Sequence, residues 1–169
     1  PKRQYNIGLL GGKLIYNDSK RGYTINSIYK GDLWDKNQSP LCSPGLNIKT
    51  GDTITKINNI KLTKRLSPNE TLVNQANKEV QISVLHNKDK KSKNYTIKTL
   101  SRCNHLYYRD WVEYNREYVH KKSKNKIGYI HIPDMGADGY AEFHRYFLAE
   151  ITYDGLIVDV RFNGGGHVS

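Results

Sequence analysis

Long apolar runs and paired cysteines are missing from this chain of 169 residues. No stretch of about 18 consecutive apolar residues occurs, and there is no apolar segment typical of a signal peptide. We therefore expect no part of the chain to span or cross a membrane. Its two cysteines, Cys42 and Cys103, are isolated and lack the spacing of a metal site. We predict that both are reduced and structural, which suits a cytoplasmic protein.

Motifs for metal-dependent and nucleotide-dependent chemistry are also missing. The five histidines between residues 86 and 144 show no HExxH or related spacing, so we expect no bound metal. The glycines Gly164, Gly165 and Gly166 are not followed by Lys and Ser or Thr, so they do not form a Walker-type phosphate loop. The sequence therefore predicts neither a metal nor a cofactor.

The chain is strongly basic, with a formal net charge of +11. Much of this charge lies in two lysine-rich runs, residues 88–93 and 121–126, and each run separates predicted regular elements. A nucleic-acid interface would interleave aromatic side chains with the lysines and accompany a nucleic-acid-binding fold motif, and neither is found. Asn and Ile are also plentiful, which indicates a general compositional bias. We predict solvated loops and no nucleic-acid partner.

Residues 4–100 have the pattern of a small, mostly-β module. The predicted strands are short and closely spaced: residues 5–10, 13–16, 23–28, 53–57, 80–85 and 94–98. Turns are predicted at residues 51–52 and 58–59. Ser67 is the predicted N-cap of a helix over residues 67–77, because Pro68 suits the first helical position and Glu70 completes a capping box.

The remaining residues alternate between helix and strand. Four aromatic residues at helical spacing predict the packed face of a helix over residues 107–120: Tyr107, Trp111, Tyr114 and Tyr118. A strand over residues 126–132 follows, and Asp138 is the predicted cap of a second helix. That helix has its own apolar face: Tyr140, Phe143, Phe147 and Ile151. A last strand begins at Gly155, and strand, helix, strand in this order requires a crossover connection, the start of an α/β domain.

The last segment carries the strongest functional signal. Residues 156–160 are a short apolar run, typical of a strand buried on both faces. The three glycines that follow would present bare backbone N–H groups at a sheet edge, where such groups cradle a phosphate or stabilise an oxyanion. A flexible turn is the alternative for an isolated run of three glycines.

Three segments of this region together resemble one family. Residues 108–120 (YRDWVEYNREYVH), 127–136 (IGYIHIPDMG) and 155–166 (GLIVDVRFNGGG) are similar to the C-terminal catalytic half of tricorn protease and its tricorn-like relatives. The resemblance implies an oligomeric, ATP-independent, cytoplasmic serine endopeptidase that trims peptides downstream of a larger protease.

The same resemblance implies roles for individual residues. Gly166 matches the family glycine whose backbone N–H stabilises the oxyanion of the tetrahedral intermediate. The family's nucleophilic serine lies downstream of this loop and its histidine lies upstream of the β module, so we expect both outside residues 1–169. The chain is then expected to be a fragment that cannot run the reaction by itself.

Four polar side chains close to the glycines in sequence are alternative candidates for a catalytic role. His167 would be a candidate general base, but the matching family position is aromatic and non-catalytic. Ser169 has no positioned base and is a poor candidate nucleophile. Asp134 and Asp159 would form an acid–base pair, but one is predicted in a turn and the other within a buried strand. We expect Asp159 to be held by a hydrogen bond or salt bridge, to Arg161 or a neighbour.

The N-terminal module resembles the PDZ domains of bacterial and tricorn-type proteases. The order of residues 44–46 (PGL), 51–54 (GDTI) and 57–58 (IN) carries this resemblance. Four residues stand where the family has its carboxylate-binding loop and are the predicted peptide-binding residues: Ile7, Gly8, Leu9 and Leu10. A bound peptide would add as an extra strand beside the predicted helix. Leu72, Val73 and Ala76 line that groove or pack in the core, and we favour the core.

These expectations combine into one prediction of a mixed α/β chain. Residues 1–100 would form a small, mostly-β PDZ-like domain, and residues 101–169 the N-terminal part of an α/β catalytic domain with strand–helix–strand order. We predict a fragment of a tricorn-type serine endopeptidase that acts on peptide substrates as a homo-oligomer, without membrane or nucleic-acid partners. The alternative, from another functional class, is a non-catalytic PDZ module that binds peptides.

Overall fold

A computed structural model of the chain describes residues 5–32 and 38–166. The chain divides into two compact units, Pro1–Tyr108 and Arg109–Ser169, here called the N-terminal unit and the C-terminal unit. Among the described residues, no helix combines the length and the apolar character that a bilayer crossing needs. The candidate residues His167 and Ser169 lie outside the described residues.

The N-terminal unit contains one antiparallel sheet with strand order β1-β2-β3-β5-β6, and β4 pairs with β3 alone. The strands are β1 (Gly12–Asn17), β2 (Gly22–Ile28), β3 (Thr53–Ile57), β4 (Ile60–Lys61), β5 (Glu79–Leu85) and β6 (Ser92–Lys98). Asn58 and Asn59 close the β3–β4 hairpin, and both have positive φ angles, 48° and 65°, as a type I′ turn requires. The predicted mostly-β architecture of this region is confirmed.

The core of the N-terminal unit lies on one face of this sheet. Its fully buried aliphatic side chains come mainly from the central strands: Ile25, Ile54, Ile57, Ile82 and Val84. Leu72, which is 1% exposed, joins this core as predicted, whereas Val73 and Ala76 are only partly buried and lie outside it. Burying a side chain of this size stabilises the fold by about 1.5–3 kcal/mol.

Residues 5–10 do not form the predicted strand. Ile7 and Leu9 make only isolated antiparallel bridges, to Val73 and to Leu100. The segment therefore alternates between two partners, one after α1 and one after β6. A continuous ladder would need one partner strand along the whole segment.

The first helix is also shorter than predicted. Helix α1 spans Pro68–Thr71, although the capping box between Ser67 and Glu70 is present. Asn74 and Asn77 both have a φ angle of 59°. This left-handed conformation ends helical hydrogen bonding, and asparagine adopts it more readily than most residues.

The chain continues through α2 (Asn104–Lys122), β7 (Ile127–His131), α3 (Ala137–Glu150) and β8 (Gly155–Asp159). Strands β7 and β8 pair in parallel, from Ile127 opposite Gly155 to His131 opposite Asp159. Helix α3 connects them and packs on β7. The predicted strand–helix–strand order is confirmed.

The cap of α3 differs from the prediction. Gly136 is the N-cap, and Asp138 lies exposed in the first turn. Asp134 supplies the capping carboxylate, because its Oδ1 accepts the N–H groups of Gly136 and Gly139, each at 2.8 Å. A side chain two residues before the N-cap therefore satisfies the first free donors of the helix.

The aromatic faces predicted to pack are only partly covered: Trp111, Phe143 and Phe147 are half-buried, but the tyrosines are exposed. Tyr114 and Tyr118 of α2 are 65% and 52% exposed, and Tyr140 of α3 is 69% exposed. The side chains that join these helices are charged groups and one tyrosine, described below. In β8, Ile157 and Val158 are both close to half exposed, so the prediction of a strand buried on both faces is wrong for the described structure.

Candidate functional site

A loop rich in glycine follows β8 at the edge where both parallel strands end. This glycine loop, residues 160–166, is tied to the segment after β7. The N–H of Gly164 donates to the carbonyl of Pro133 (2.8 Å), and the N–H of Met135 donates to the carbonyl of Gly165 (2.9 Å). The two reciprocal bonds fix the loop against that segment.

Asn163 holds the bend of the glycine loop. Its Oδ1 accepts the N–H of Gly165 at 2.7 Å, and its Nδ2 donates to the carbonyl of Ile132 at 3.0 Å. Phe162 and Gly165 have positive φ angles of 60° and 77°. The amide side chain thus stabilises a backbone turn that is costly for a non-glycine residue such as Phe162.

The space around Gly166 is crowded, and its backbone N–H is free to donate a hydrogen bond. A Cβ at this position would lie 2.7 Å from the Cβ of Met135 and 3.0 Å from its carbonyl oxygen. At Gly164, by contrast, the nearest atom to an added Cβ is the carbonyl oxygen of Pro133, at 3.9 Å. The N–H groups of Gly164 and Gly165 have acceptors, whereas that of Gly166 has none among the described residues. One backbone donor therefore stays available to a ligand.

Asp159 is engaged at the end of β8, as expected. Its carboxylate accepts the Tyr129 hydroxyl at 2.6 Å and the Arg161 Nη2 at 2.6 Å. The Arg161 contacts, together with the Tyr129 hydroxyl, hold the pKa of Asp159 well below its usual range. Burial and the bond to Asp159 raise the pKa of Tyr129 to about 12. Asp159 is therefore held as an anion that orients Arg161, and Asp134 caps the N-terminus of α3. Both roles agree with the expectation that these two residues do not form an acid–base pair.

Trp111 supports the start of the glycine loop. The Arg161 guanidinium lies over its ring at 5.3 Å, and its ring meets His131 edge to face at 4.8 Å. His131 Nε2 lies 2.8 Å from the carbonyl oxygen of Arg161. The helical spacing of Trp111 predicted a place in an aromatic packing face and gave no sign of this contact with Arg161.

Helices α2 and α3 meet through a set of polar side chains, here called the charged seam, of which Glu142 and Glu150 are buried and the others half-buried. Its members are Arg109, Glu113, Arg116 and His120 from α2, and Glu142, Tyr146 and Glu150 from α3. Arg109 binds Glu142 through both guanidinium nitrogens, at 2.9 Å and 2.5 Å. Glu150, only 2% exposed, accepts the N–H of Tyr129 and contacts His120 Nε2, at 2.9 Å and 2.8 Å. The four α2 residues recur at i, i+4, i+7 and i+11, the same spacing that pointed to the aromatic face.

The N-terminal unit contains a cavity of about 300 Å³ beside the edge strand β1. The cavity is lined by backbone, apolar and uncharged polar groups: Gly8, Leu9, Leu10, Gly11, Gly12, Leu14, Tyr23, Ser67, Pro68, Asn69, Leu72, Cys103 and Tyr107. Three of the four predicted peptide-binding residues are in this lining, and Ile7 is not. Both cysteines of the chain are free thiols.

The backbone donors of the predicted peptide-binding loop are partly used within the fold. Gly8 donates its N–H to the carbonyl of Leu72 (2.9 Å) and Leu9 donates to that of Leu100 (2.8 Å). Leu10 is 5% exposed, and no described residue accepts its N–H. A buried donor without an acceptor is unusual in folded proteins, so Leu10 is the donor in this loop most suited to a ligand.

Two family models match the chain. The tricorn protease PDZ domain matches residues 8–102, and peptidase family S41 matches residues 126–169. A tricorn protease homolog of Saccharolobus solfataricus is 44% identical over 165 residues, which is 97% of this chain and 15% of the relative. The tricorn protease of Thermoplasma acidophilum is 41% identical over 148 residues, 87% of this chain and 14% of the relative.

A solved structure agrees with these matches. The crystal structure of the tricorn protease aligns with a TM-score of 0.85 at 37% sequence identity, covering 96% of this chain and 16% of that one. The fold predicted for the chain, a PDZ-like region followed by strand, helix and strand, is therefore found in a protein of related sequence. The chain spans about 15% of the length of the curated relatives it matches.

Proposed function

The chain belongs to the tricorn protease family, and from this membership we propose that it contributes the PDZ unit and the oxyanion-stabilising glycine loop of a serine-type peptidase. Peptides are the proposed substrates. The observation that carries the proposal is Gly166, whose N–H has no acceptor among the described residues and whose position has no room for a side chain.

The proposed role of Gly166 is to donate its backbone N–H to the oxyanion of the tetrahedral intermediate. A donor that is fixed before reaction stabilises developing negative charge without reorganisation. Asn163, together with the bonds from Gly164 to Pro133 and from Met135 to Gly165, supports the idea of a preorganised loop. By family resemblance, the nucleophilic serine and its histidine come from outside residues 1–169.

The wider setting of the enzyme is also a proposal. By the same resemblance, we expect the peptidase to be a cytoplasmic homo-oligomer that needs no cofactor. Size-exclusion chromatography with light scattering, applied to the protein that carries this chain, tests the oligomer. A monomer at micromolar concentration would contradict it.

The activity is tested in that same protein with a serine-reactive phosphonate probe and a set of fluorogenic peptides. We expect covalent labelling of a serine together with peptide hydrolysis, and loss of both after pretreatment with an unlabelled phosphonate. A folded protein that neither reacts with the probe nor hydrolyses peptides would overturn the proposal.

A second candidate function is peptide recognition without catalysis by this chain's parent protein. The cavity beside the edge strand β1 favours it, because an extended peptide adds to a free sheet edge through backbone hydrogen bonds. Peptide binding with no serine labelling would support this alternative over the peptidase.

A further inference from the structure

His131 is a buried histidine to which the proposed reaction assigns no role. It is the last residue of β7 and only 2% exposed. In the parallel ladder it lies opposite Asp159, the last residue of β8, so its side chain sits where the glycine loop begins. Burying an imidazole is costly unless its polar atoms are hydrogen-bonded. The bond that His131 makes therefore indicates what this side chain does.

The contact with the glycine loop fixes which nitrogen of His131 carries a proton. Its Nε2 lies 2.8 Å from the carbonyl oxygen of Arg161. A carbonyl oxygen only accepts, so Nε2 is the donor and carries a proton. A nitrogen that donates in this way has no lone pair to take a proton from a nucleophile. The geometry therefore excludes Nε2 of His131 as a general base.

Trp111 fixes the direction of the imidazole ring. The two rings meet edge to face, with centroids 4.8 Å apart and planes at 88°. The guanidinium of Arg161 lies over the same indole, 5.3 Å from its centroid, and its Nη2 donates to Asp159 at 2.6 Å. The side chain and the carbonyl of Arg161 are thus held by two neighbours, Trp111 and His131, that also contact each other.

The bond from His131 acts just before a strained point of the glycine loop. The Arg161 carbonyl belongs to the peptide group that precedes Phe162, whose φ angle of 60° is costly for a residue with a side chain. The side chain of Phe162 is 87% exposed, so packing does little to hold it. Because φ is the rotation about the bond from N to Cα, fixing this peptide group restrains the turn that leads to Gly166.

Four hydrogen bonds join the glycine loop to residues 131–135, in the same order along both segments. They run from His131 Nε2 to the Arg161 carbonyl (2.8 Å), from Asn163 Nδ2 to the Ile132 carbonyl (3.0 Å), from the Gly164 N–H to the Pro133 carbonyl (2.8 Å) and from the Met135 N–H to the Gly165 carbonyl (2.9 Å). On the 131–135 side, the last three use backbone atoms and the first uses a side chain. A substitution of His131 can therefore remove one bond and leave the atoms of the others in place.

We infer that His131 is a positioning residue for the oxyanion donor. Its Nε2–H holds the Arg161 carbonyl, and through the turn at Phe162 this bond sets the position of the Gly166 N–H. The imidazole neither touches the substrate nor transfers a proton. The inference rests on the proposed function of Gly166 and adds the side chain that keeps this donor in place before the reaction.

Substitutions of His131 in the complete enzyme separate positioning from proton transfer. His131→Leu removes the donor, and His131→Asn carries an amide too short to reach the Arg161 carbonyl. His131→Gln carries the same amide one carbon further out, where its N–H can donate to that carbonyl, but an amide cannot act as an acid or base.

We expect His131→Leu and His131→Asn to lower kcat by about tenfold or more and to change KM by less than about threefold, because a misplaced oxyanion donor affects the transition state more than substrate binding. His131→Gln should recover most of the lost kcat. Thermal melts confirm that each variant is folded at the assay temperature, and having two variants without the donor keeps the test decisive if one of them does not fold.

Amide hydrogen exchange in the chain of 169 residues gives a second readout, which needs no activity. The Gly164 N–H, bonded to the Pro133 carbonyl, should exchange with solvent about tenfold faster in His131→Leu than in the parent chain. His144→Leu is the matched control, because His144 is exposed on α3 and its ring contacts aromatic side chains of its own helix. We expect this control to keep the parent's exchange rate at Gly164 and the parent's kcat.

Three results would overturn the inference. An unchanged kcat in folded His131→Leu or His131→Asn would show that the loop does not need this bond. A kcat for His131→Gln as low as that for His131→Leu would point to proton transfer by the imidazole. Equal exchange at Gly164 in His131→Leu and His144→Leu would mean that His131 does not hold the loop. Absence of serine labelling in the parent enzyme would instead reject the proposed peptidase, and the exchange rates would still decide whether His131 holds the loop.

Discussion

Gly166 illustrates what a single residue contributes through the absence of a side chain. The sequence contains three consecutive glycines, and family resemblance predicted that the last one, Gly166, stabilises the oxyanion. It could not show that Met135 closes the space around that glycine, because the contact joins residues 31 positions apart. Nor could it show which of the three N–H groups remains without an acceptor, since that depends on the carbonyl of Pro133 and the side chain of Asn163.

Gly166→Val in the complete enzyme should lower kcat by about 10²–10³, the typical cost of losing one oxyanion donor. The substitution forces a side chain against Met135 and moves the N–H from its position. Gly164→Ala is the matched control, because its added Cβ meets only ordinary contact distances and its φ is not positive. We expect that variant to keep most of its activity. An unchanged kcat for Gly166→Val with an intact thermal melt would remove Gly166 from the active site.

Tyr129 should give the C-terminal unit a stability that disappears in alkali. Its folded pKa of about 12 lies above the ordinary value near 10, so the neutral form is the one that folding favours. This stabilisation is fully present below about pH 10 and is lost as pH rises through about 12, by roughly 2–3 kcal/mol. Denaturant titrations at several alkaline pH values measure the loss.

Tyr129→Phe should flatten that alkaline dependence, and the exposed Tyr114→Phe should leave it unchanged. Tyr146, whose pKa is also raised to about 12 by burial and by Glu113, accounts for the part that remains. If Tyr129→Phe loses stability as steeply as the parent chain between pH 10 and pH 12, the Tyr129–Asp159 bond does not carry the effect.

At the scale of elements, helical spacing alone misidentified the packed face of α2. Two stripes share the i, i+4, i+7, i+11 pattern, one aromatic and one charged, and an apolar face is the usual one to bury. Here the charged stripe faces α3, because α3 presents complementary groups, Glu142, Tyr146 and Glu150, at matching positions. That complementarity lies in residues about 30 positions away, which local periodicity does not reveal. By contrast, the residue types of Asn58 and Asn59 were enough to predict the turn between β3 and β4.

Removing a buried carboxylate from the charged seam should greatly lower the free energy of unfolding. Glu150→Gln leaves Arg116 and His120 without their shared anion and should destabilise the chain by about 3 kcal/mol. Glu117→Gln, an exposed position on α2, is the control and should change stability by less than about 0.5 kcal/mol. Urea denaturation compares the two, and a cost for Glu150→Gln no larger than the control's would show that the seam contributes little.

At the scale of the whole molecule, the two units differ in how much apolar surface they bury. The N-terminal unit has a continuous core built on a sheet. Among the described residues of the C-terminal unit, 109–166, the buried apolar side chains are few: Val112, Tyr129 and Ile130. The sequence predicted both architectures from strand and helix patterns. It did not predict this imbalance, because the apolar run of β8 was expected to be covered on both faces.

Residues 1–108, expressed alone, should fold with a cooperative thermal transition, because their core is complete within the segment. Residues 109–169 alone should show a broad, non-cooperative melt, since a segment of this size with few buried apolar groups falls short of the entropy cost of folding. Circular dichroism melts of both segments measure this difference. A sharp transition in residues 109–169 would mean that the charged seam suffices to hold them.

The edge strand β1 has a further consequence, for self-association. An unpaired sheet edge invites the same edge of another molecule, and proteins prevent this with charged side chains and irregular pairing. Strand β1 has both, because Lys13 is exposed on it and the register with β2 shifts between Lys13 and Leu14. Two copies meeting edge to edge would bring like charges together on a kinked strand. The edge can therefore stay open to an extended peptide while its own copies are kept apart, and concentrated solutions of the protein should remain free of β-sheet aggregates.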